Sequence, residues 1–235
     1  LITGRWEARG KQSEKVKALV FDATGVSDSS KSEVLYRFFH DSARSILSCG
    51  RIIVLGRPPE QCHEARKATV QRGLEGLIRS LGKEIKRGVA AQLVYVDEGA
   101  ENQIESTLRF LLSPRSAYVS GQVIRIGKAK KPTRTLTDWS APLKGKKILV
   151  TGSARGIGNA IAKVMARDGA KVVCLDIPEA QADIDKFAAE LGGSSLALDL
   201  THTDSPDTLV AEAQAVGGWD VVVHNAGITR DKTLA

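Results

Sequence analysis

The sequence predicts an α/β protein made of two units, each with a parallel sheet whose strands are joined by crossover helices. Short apolar runs alternate with longer amphipathic segments along most of the 235 residues, and such alternation is typical of parallel sheets. Residues 128–145, rich in Lys, Thr and Pro, break the pattern and show no sustained period. We therefore predict a linker at 128–145 between the units 1–127 and 146–235.

Each unit repeats the same order of elements. In the first, we predict strands at 16–21, 51–55 and 91–96, helices at 31–47, 59–86 and 101–112, and a final extended or hairpin-like piece at 117–126. In the second, the predicted strands are 147–150, 172–175, 196–198 and 219–223. Its helices are predicted at 157–168, ending before Gly169, then at 178–191, with Pro178 in the first turn, and at 209–216.

A glycine-rich loop follows the first strand of the second unit. Gly152, Gly156 and Gly158 stand in a G-x-x-x-G-x-G spacing and lead directly into a helix. A dinucleotide pyrophosphate needs the backbone N–H groups of a helix N-terminus and an approach free of side chains, which glycine permits. Because an ordinary turn would not need three glycines, the context predicts a cofactor-binding loop.

Asp176 ends the second strand of this unit. An acid there accepts hydrogen bonds from the adenosine ribose hydroxyls and repels a 2′-phosphate. The alternative is that Asp176 caps the helix beside Pro178, and Arg155 in the loop is able to contact a phosphate. Since the acid at the strand end is the stronger determinant, we predict NAD as the cofactor, with NADH preferred over NADPH.

Three runs, TGSARGIG, LALDLT and HNAGIT, resemble the short-chain dehydrogenase/reductase family. The resemblance implies two Rossmann-like or flavodoxin-like units, the second incomplete. It also implies cofactor-binding roles for these residues: Gly152, Ser153, Arg155, Gly156, Ile157 and Gly158 at the pyrophosphate and ribose, Asp176 with Ile177 at the ribose, Asp199 and Leu200 at the adenine, and Asn225, Ala226 and Gly227 in the strand-bracing motif. His224 replaces the first Asn of that motif, and we interpret it as a packed strand-end residue.

The closing run NAGITRDKTLA is most similar to the 3-oxoacyl-[acyl-carrier-protein] reductases. Members of that group continue with a catalytic Ser and a Tyr-x-x-x-Lys motif, so no catalytic residue is expected in this chain. The resemblance implies that the full-length protein reduces 3-oxoacyl thioesters of acyl carrier protein or coenzyme A to 3-hydroxyacyl thioesters in fatty acid biosynthesis. It further implies a homo-oligomer, a dimer or tetramer.

The first unit resembles the C-terminal half of the same family, as in the long, two-domain form of these reductases, whose first domain is inactive. The run GRII matches the strand that normally ends in the catalytic Ser, and GLEGLIRSL matches the helix after the Tyr-x-x-x-Lys motif. In this register Gly56 replaces the Ser, Lys67 the Tyr and Gln71 the Lys. Without a phenol there is no proton donor for a carbonyl oxygen, so the first unit is predicted to be non-catalytic.

Composition limits the partners and the compartment. The net charge is +7, but Lys and Arg are spread along the chain rather than in one stripe. We therefore predict no nucleic-acid partner; attraction to acidic carriers, coenzyme A or phosphates is the alternative to a solvated surface. No apolar run approaches the roughly 20 residues of a bilayer span, so no membrane association is predicted. Cys49, Cys62 and Cys174 fit no zinc spacing, which favours the cytoplasm.

The remaining chemically active residues are predicted to be structural. His40 and His63 have no nucleophile at a recognisable spacing. Glu98, Glu101 and Glu105 are joined by no His or Cys, so no metal site is expected. Two alternative functions stay open: a non-catalytic NAD-binding or scaffold module, and a permuted fold in which the two halves meet. A Tyr-x-x-x-Lys motif in the full-length sequence would decide for the enzyme.

Overall fold

The computed structural model describes residues 15–129 and 138–227. The chain divides into two units between Thr133 and Arg134. Each unit contains one four-stranded sheet, and every strand pairing in both sheets is parallel. The predicted α/β class, with parallel sheets and crossover helices, is confirmed.

The first unit places its strands side by side in chain order. Its strands are β1 (Val16–Asp22), β2 (Ile46–Gly56), β3 (Ala90–Val96) and β4 (Gln122–Ile126). The helices between them are α1 (Glu33–Ser42), α2 (Ala65–Glu84) and α3 (Glu105–Leu112).

Apolar side chains cover both faces of the first sheet. Ile52 and Val54 of β2 belong to a core shared with α1 and α2, whereas Ile53 belongs to a second core shared with α3. Because side chains alternate along a strand, these two cores lie on opposite faces. β3 is buried along its whole length, as expected for a central parallel strand.

Two helix predictions in this unit were too long. The helix predicted at 31–47 ends at Ser42, because hydroxyl bonds from Ser42 to the Phe38 carbonyl and from Ser45 to the Ser42 carbonyl tighten the chain, and Ile46 begins β2. The helix predicted at 59–86 begins only at Ala65. Prolines 58 and 59 favour a turn and an extended backbone before it.

The end of the first unit is a single strand. Only residues 122–126 of the predicted segment 117–126 form a strand, and it pairs in parallel with β3. The hairpin interpretation is wrong, since residues 116–119 form a turn closed by the bond from Val119 N to Ser116 O at 2.9 Å. The sheet of the first unit therefore has four parallel strands.

The second unit has a sheet whose strand order reverses. Its strands are β5 (Lys147–Thr151), β6 (Lys171–Asp176), β7 (Ser194–Ala197) and β8 (Val221–Val223), in the order β7-β6-β5-β8. Its helices are α4 (Gly156–Arg167), α5 (Gln181–Leu191) and α6 (Ser205–Ala215). Between β5 and β8 the direction of the strand order changes, and open α/β sheets bind ligands outside the carboxyl ends of strands at such a point.

The core of the second unit lies between β5, β6 and the helices α4 and α5. Ile148, Val150, Val172 and Cys174 are each at most 2% exposed and belong to this core. Part of the predicted linker, residues 138–145, packs here: Leu143 contacts the core, and its N–H donates to the Asp168 carbonyl at 2.8 Å. Residues 130–137 of the linker lie outside the described residues. Across both described ranges, no helix has the length and apolar character needed to cross a bilayer.

Candidate cofactor-binding site

The glycine-rich loop lies at the carboxyl end of β5, beside the point where the strand order reverses. It connects Thr151, the last residue of β5, to Gly156, the first residue of α4. Arg155 occupies the N-cap of α4 and makes no side-chain capping bond. The first N–H groups of α4 therefore face the crevice without a side-chain acceptor, which is the arrangement that receives an anion.

Each loop glycine meets a different steric requirement. Gly152 has φ +67°, and a Cβ on it would stand 2.9 Å from Ala226 Cα. A Cβ on Gly158 would overlap the Gly152 carbonyl oxygen and lie 2.6 Å from Asn225 Nδ2. Gly156, with φ +63°, has no atom within 4 Å of its Cβ position. Gly152 and Gly158 thus allow the loop to close, whereas Gly156 leaves open space at the helix N-terminus.

Asn225 holds the loop to the end of β8. Its side-chain amide donates to the carbonyl oxygens of Thr151 and Gly152, both at 3.1 Å. The Thr151 hydroxyl in turn donates to the Val223 carbonyl at 3.1 Å and accepts the N–H groups of Asn225 and Ala226, both at 3.0 Å. These bonds hold the end of β5 against the end of β8. Gly227 follows and is exposed.

Asp176 lies at the tip of β6, next to the loop. Its Oδ2 accepts the N–H of Ala154 at 2.8 Å, and its Oδ1 accepts the N–H of Ile177 at 2.9 Å. A carboxylate oxygen accepts more than one hydrogen bond, so this carboxylate keeps acceptor capacity for ribose hydroxyls. Ile177 is 46% exposed beside it. The interpretation of Asp176 as a side-chain cap is not what the structure shows, since the helical turn after Ile177 has no side-chain capping bond.

The other loop residues divide into those that hold the loop and those that face solvent. The Ser153 hydroxyl is buried and donates to the Leu175 carbonyl at 3.1 Å, so it ties the loop to β6. Arg155 and Ile157 are exposed, Ile157 by 74%. These two side chains are free to contact a bound molecule, whereas Ser153 acts through the loop backbone.

The predicted adenine residues follow β7. The carboxylate of Asp199 accepts both the N–H and the hydroxyl of Thr201, at 2.9 and 2.8 Å. These bonds lower the pKa of Asp199 below its usual value. Asp199 and Leu200 are half-buried, and Leu198 N donates to the Asp176 carbonyl at 2.8 Å. This bond sets the segment beside Asp176, as a site for an adenosine would require.

Sequence reasoning missed three residues that shape this site. Thr151 bridges β5 and β8, Ala154 supplies the N–H that fixes Asp176, and Asn159 donates its side-chain amide to the carbonyls of Ser153 and Ala154 at 3.4 and 3.3 Å. The position of Asn159 in the sequence could have indicated its role, because a side-chain amide in the first turn of a helix is able to reach back to the preceding loop. His224, interpreted from sequence as packed, is instead exposed.

In the first unit, two of the three positions aligned with a catalytic set, Gly56 and Gln71, have structural surroundings. A Cβ on Gly56 would lie 2.8 Å from Leu74 Cδ1 and 2.9 Å from Gln71 Oε1, so a serine there would require these side chains to shift. Gln71 is fully buried; its amide accepts from Arg57 N at 2.8 Å and donates to the carbonyls of Ala23 and Val26 at 2.7 and 3.0 Å. Gln71 thus fastens the ends of β1 and β2 to α2.

His40, Glu101 and Glu105 of the first unit also have ordinary surroundings. His40 is exposed, stacks on Tyr36 and lies 3.1 Å from Asp41 Oδ1. Glu101 pairs with Arg57 at 2.6 Å and Glu105 with Arg109. In residues 15–129 and 138–227, no group of three or more His, Cys, Asp or Glu side chains is arranged to hold a metal ion.

Comparisons with known proteins agree with this geometry. A family model described as enoyl-(acyl carrier protein) reductase matches residues 152–235. A 3-oxoacyl-[acyl-carrier-protein] reductase of Vibrio cholerae is 42% identical over 93 residues, which cover 39% of this chain and 38% of that protein. Residues 152–235 are thus similar to members of the short-chain dehydrogenase/reductase family. Enzymes of this family use a nicotinamide cofactor.

Two further proteins are similar to part of this chain. The hydroxyacyl-CoA dehydrogenase ChsB1 of Mycobacterium tuberculosis is 37% identical over 119 residues, covering 47% of this chain and 37% of that protein. A solved short-chain dehydrogenase of Escherichia coli in complex with NADPH is 32% identical, covers 39% of this chain and 41% of its own, and has a TM-score of 0.34. The chain spans less than two fifths of the length of the curated relatives from Mycobacterium tuberculosis and Vibrio cholerae.

Proposed function

We propose that this chain supplies the cofactor-binding half of an NADH-dependent reductase of 3-oxoacyl thioesters. The observation that carries the proposal is the uncapped N-terminus of α4, opened by Gly156 and placed beside the Asp176 carboxylate at the tip of β6. A dinucleotide needs both features, one for its pyrophosphate and one for its ribose. The residues present therefore fit a nicotinamide dinucleotide.

In this proposal the chain binds and orients, and the cofactor, when bound, supplies the hydride. The N–H groups at the start of α4 hold the pyrophosphate, while Gly156 leaves room for it. The Asp176 carboxylate accepts the ribose hydroxyls and disfavours a 2′-phosphate by charge repulsion, which gives the preference for NADH. Asn225 and Thr151 keep the ends of β5 and β8 fixed against the loop.

The proposed substrate class, 3-oxoacyl thioesters, is based on the similarity of this chain to two relatives. The Vibrio relative is named a 3-oxoacyl-[acyl-carrier-protein] reductase and the mycobacterial one a hydroxyacyl-CoA dehydrogenase. Both names describe oxidation or reduction of an acyl group held on a carrier, and both carriers are themselves anionic. The net charge of +7 favours encounter with such carriers. A cytoplasmic location, a homo-oligomer and a role in fatty acid biosynthesis remain predictions that belong to this proposal.

The full-length protein provides the test. Oxidation of NADH should be followed with acetoacetyl thioesters of coenzyme A and of acyl carrier protein, and repeated with NADPH. We expect turnover with at least one thioester and a higher kcat/KM with NADH. Absence of turnover with both thioesters, together with retained NADH binding, would instead favour a cofactor-binding or scaffold module. Failure to bind either dinucleotide would contradict the site itself.

A further inference from the structure

A second crevice lies in the first unit, at the carboxyl ends of β1, β2 and β3. It has a volume of about 380 Å³, which is within the size range of small-molecule sites. Its walls include Thr24 after β1, Arg57 after β2, Glu98 after β3, and Glu64 and Lys67 at the start of α2. The carboxyl ends of parallel strands are where α/β folds hold their ligands.

Two cationic side chains line this cavity in different ways. The Arg57 guanidinium is held in place, since it donates to the Val96 carbonyl at 3.0 Å and to Glu101 Oε1 at 2.6 Å. Lys67 is half-buried. In the part of the chain that the structure describes, no carboxylate lies within ion-pair distance of its ammonium group. A partly desolvated ammonium without a counter-ion attracts an anion.

The N-terminus of α2 forms part of the same wall. Glu64 occupies the N-cap and makes no side-chain capping bond. The first helical bond is that of Ala68 N to Glu64 O at 2.9 Å, so the N–H groups of Ala65, Arg66 and Lys67 have no acceptor within the helix. A 20-residue helix therefore adds its positive end to the charges of Lys67 and Arg57.

The cavity also contains acceptors. Glu64 and Glu98 are exposed on its walls. Their charge would oppose a large polyanion, whereas hydroxyl groups donate readily to carboxylates. The lining thus favours a ligand with one compact anionic group and neighbouring hydroxyls.

We propose that this cavity binds a small phosphate monoester that carries hydroxyl groups, with its phosphate against Lys67, Arg57 and the first turn of α2. The site belongs entirely to the first unit and goes beyond the reductase function. Removal of a charge-assisted contact such as that of Lys67 should weaken binding by roughly tenfold or more.

An NMR titration of the 15N-labelled chain with glycerol 3-phosphate tests this proposal. We expect saturable shifts of the amide signals of Arg57, Glu64 and Lys67, which line this cavity and report it separately from Gly156 and Gly158 of the second unit. Neutral glycerol should shift none of them. Inorganic phosphate should bind at the same amides, but more weakly because it brings no neighbouring hydroxyls.

The variants Lys67→Met and Arg66→Met form a matched pair. Both remove one positive charge from the first turn of α2, but Arg66 is exposed and lines a different depression of the surface. Only Lys67→Met should weaken the binding of glycerol 3-phosphate, and Lys67→Gln should repeat the effect with a polar side chain. Equal weakening by Arg66→Met, unchanged binding by Lys67→Met, or shifts confined to the glycine-rich loop would each overturn the proposal.

Discussion

The Asp176 carboxylate accepts a hydrogen bond from the backbone N–H of Ala154 at 2.8 Å. The acid that is proposed to select the cofactor is therefore also a support of the loop that is proposed to hold its pyrophosphate. Its second oxygen is fixed by Ile177 N at 2.9 Å. Removal of this carboxylate should change two properties at once: the discrimination between dinucleotides and the order of the loop.

Asp176→Ala should narrow the difference between NADH and NADPH affinities. The substitution removes the acceptor for the ribose hydroxyls and the negative charge that opposes a 2′-phosphate, so NADH binding weakens while NADPH binding is less affected or improves. The loss of a charge-assisted bond predicts roughly a tenfold weakening for NADH. Fluorescence titration of the full-length protein with both dinucleotides measures the effect.

Asp183→Asn is the matched control for this change. Asp183 is exposed in the first turn of α5 and is not bonded to the loop, yet its substitution alters the net charge equally. It should leave the ratio of the two affinities unchanged. An unchanged ratio in Asp176→Ala as well would show that the carboxylate does not select the cofactor.

Gly156→Val should abolish most NADH binding while leaving the second unit folded. A branched side chain would fill the open space at the N-terminus of α4, where the pyrophosphate has to approach. Gly192→Val is the control, since Gly192 has a similar φ of +64° and also has no atom within 4 Å of its Cβ position. Both variants carry the same backbone strain. Comparable losses of NADH affinity in the two variants would mean that strain, not obstruction, is responsible.

The glycine-rich loop could be predicted from the local sequence alone. Apolar strand, glycines and helix follow one another within a few residues, and each requirement is set by the backbone of that segment. The direction of the Ser153 hydroxyl could not be predicted in this way. It depends on the Leu175 carbonyl of a neighbouring strand, so only the pairing of β5 with β6 decides that this serine holds the loop instead of facing the crevice.

In the first unit, too, contacts between distant parts of the chain could not be predicted from the local sequence. The helix predicted at 31–47 included Ile46 and Leu47 because their apolar spacing suits a helix, but β2 begins at Ile46 and pairs with β1. Tertiary pairing overrode the local pattern. Likewise, Gln71 forms hydrogen bonds with backbone groups 14 to 48 residues away in the sequence. A periodic pattern of apolar residues does not predict such contacts.

Gln71→Leu should strongly destabilise the first unit. Leucine keeps much of the volume but removes the amide, so Arg57 N and the carbonyls of Ala23 and Val26 lose their buried partner. Buried polar groups left unpaired cost about 1–3 kcal/mol each, and we expect a loss of about 3 kcal/mol in the free energy of unfolding. Gln61→Leu, on an exposed side chain, should change it little. A similarly small effect for Gln71→Leu in urea denaturation would contradict the proposed support.

Tyr95→Phe should make the first unit less sensitive to alkaline pH. Tyr95 is fully buried and donates to the Gln71 carbonyl at 2.8 Å, and burial, reinforced by Glu75, raises the pKa of its phenol above the usual value. The folded state keeps this proton while the unfolded state loses it near pH ~10. The stabilisation is therefore complete below that pH and is lost progressively as pH rises from there towards the higher pKa of the folded state.

Denaturation at neutral pH and above pH ~10 measures this effect. The variant should lose about 1 kcal/mol at neutral pH, from the missing hydrogen bond, and should show a shallower decline of stability at high pH than the natural chain. Tyr118→Phe, at a fully exposed side chain, is the control and should not change the slope. Identical slopes for the natural chain and Tyr95→Phe would show that this phenol does not contribute to alkaline unfolding.

The 235-residue chain is expected to have no reductase activity of its own. Hydride transfer to a ketone creates an oxyanion, and loss of one donor to such an oxyanion commonly costs about 10²–10³ in kcat. Loss of the general acid costs roughly a further 10²–10⁴. All three tyrosines lie in the first unit, at positions 36, 95 and 118, and none has a lysine four residues later.

Two of the three phenols contact neighbouring groups, and the third, Tyr118, is fully exposed. Tyr95 is buried and bonded to the Gln71 carbonyl, and Tyr36 stacks on His40. Lys67 occupies the position aligned with the catalytic phenol, but an ammonium on a flexible stem is not positioned as a phenol is, and Gly56 supplies no hydroxyl at the position aligned with the serine. The measurement is NADH oxidation with an acetoacetyl thioester, with the full-length protein as the positive control. If the 235-residue chain turned over substrate at a comparable rate, and Lys67→Met abolished that activity, Lys67 would have to be the proton donor and the non-catalytic assignment of the first unit would be wrong.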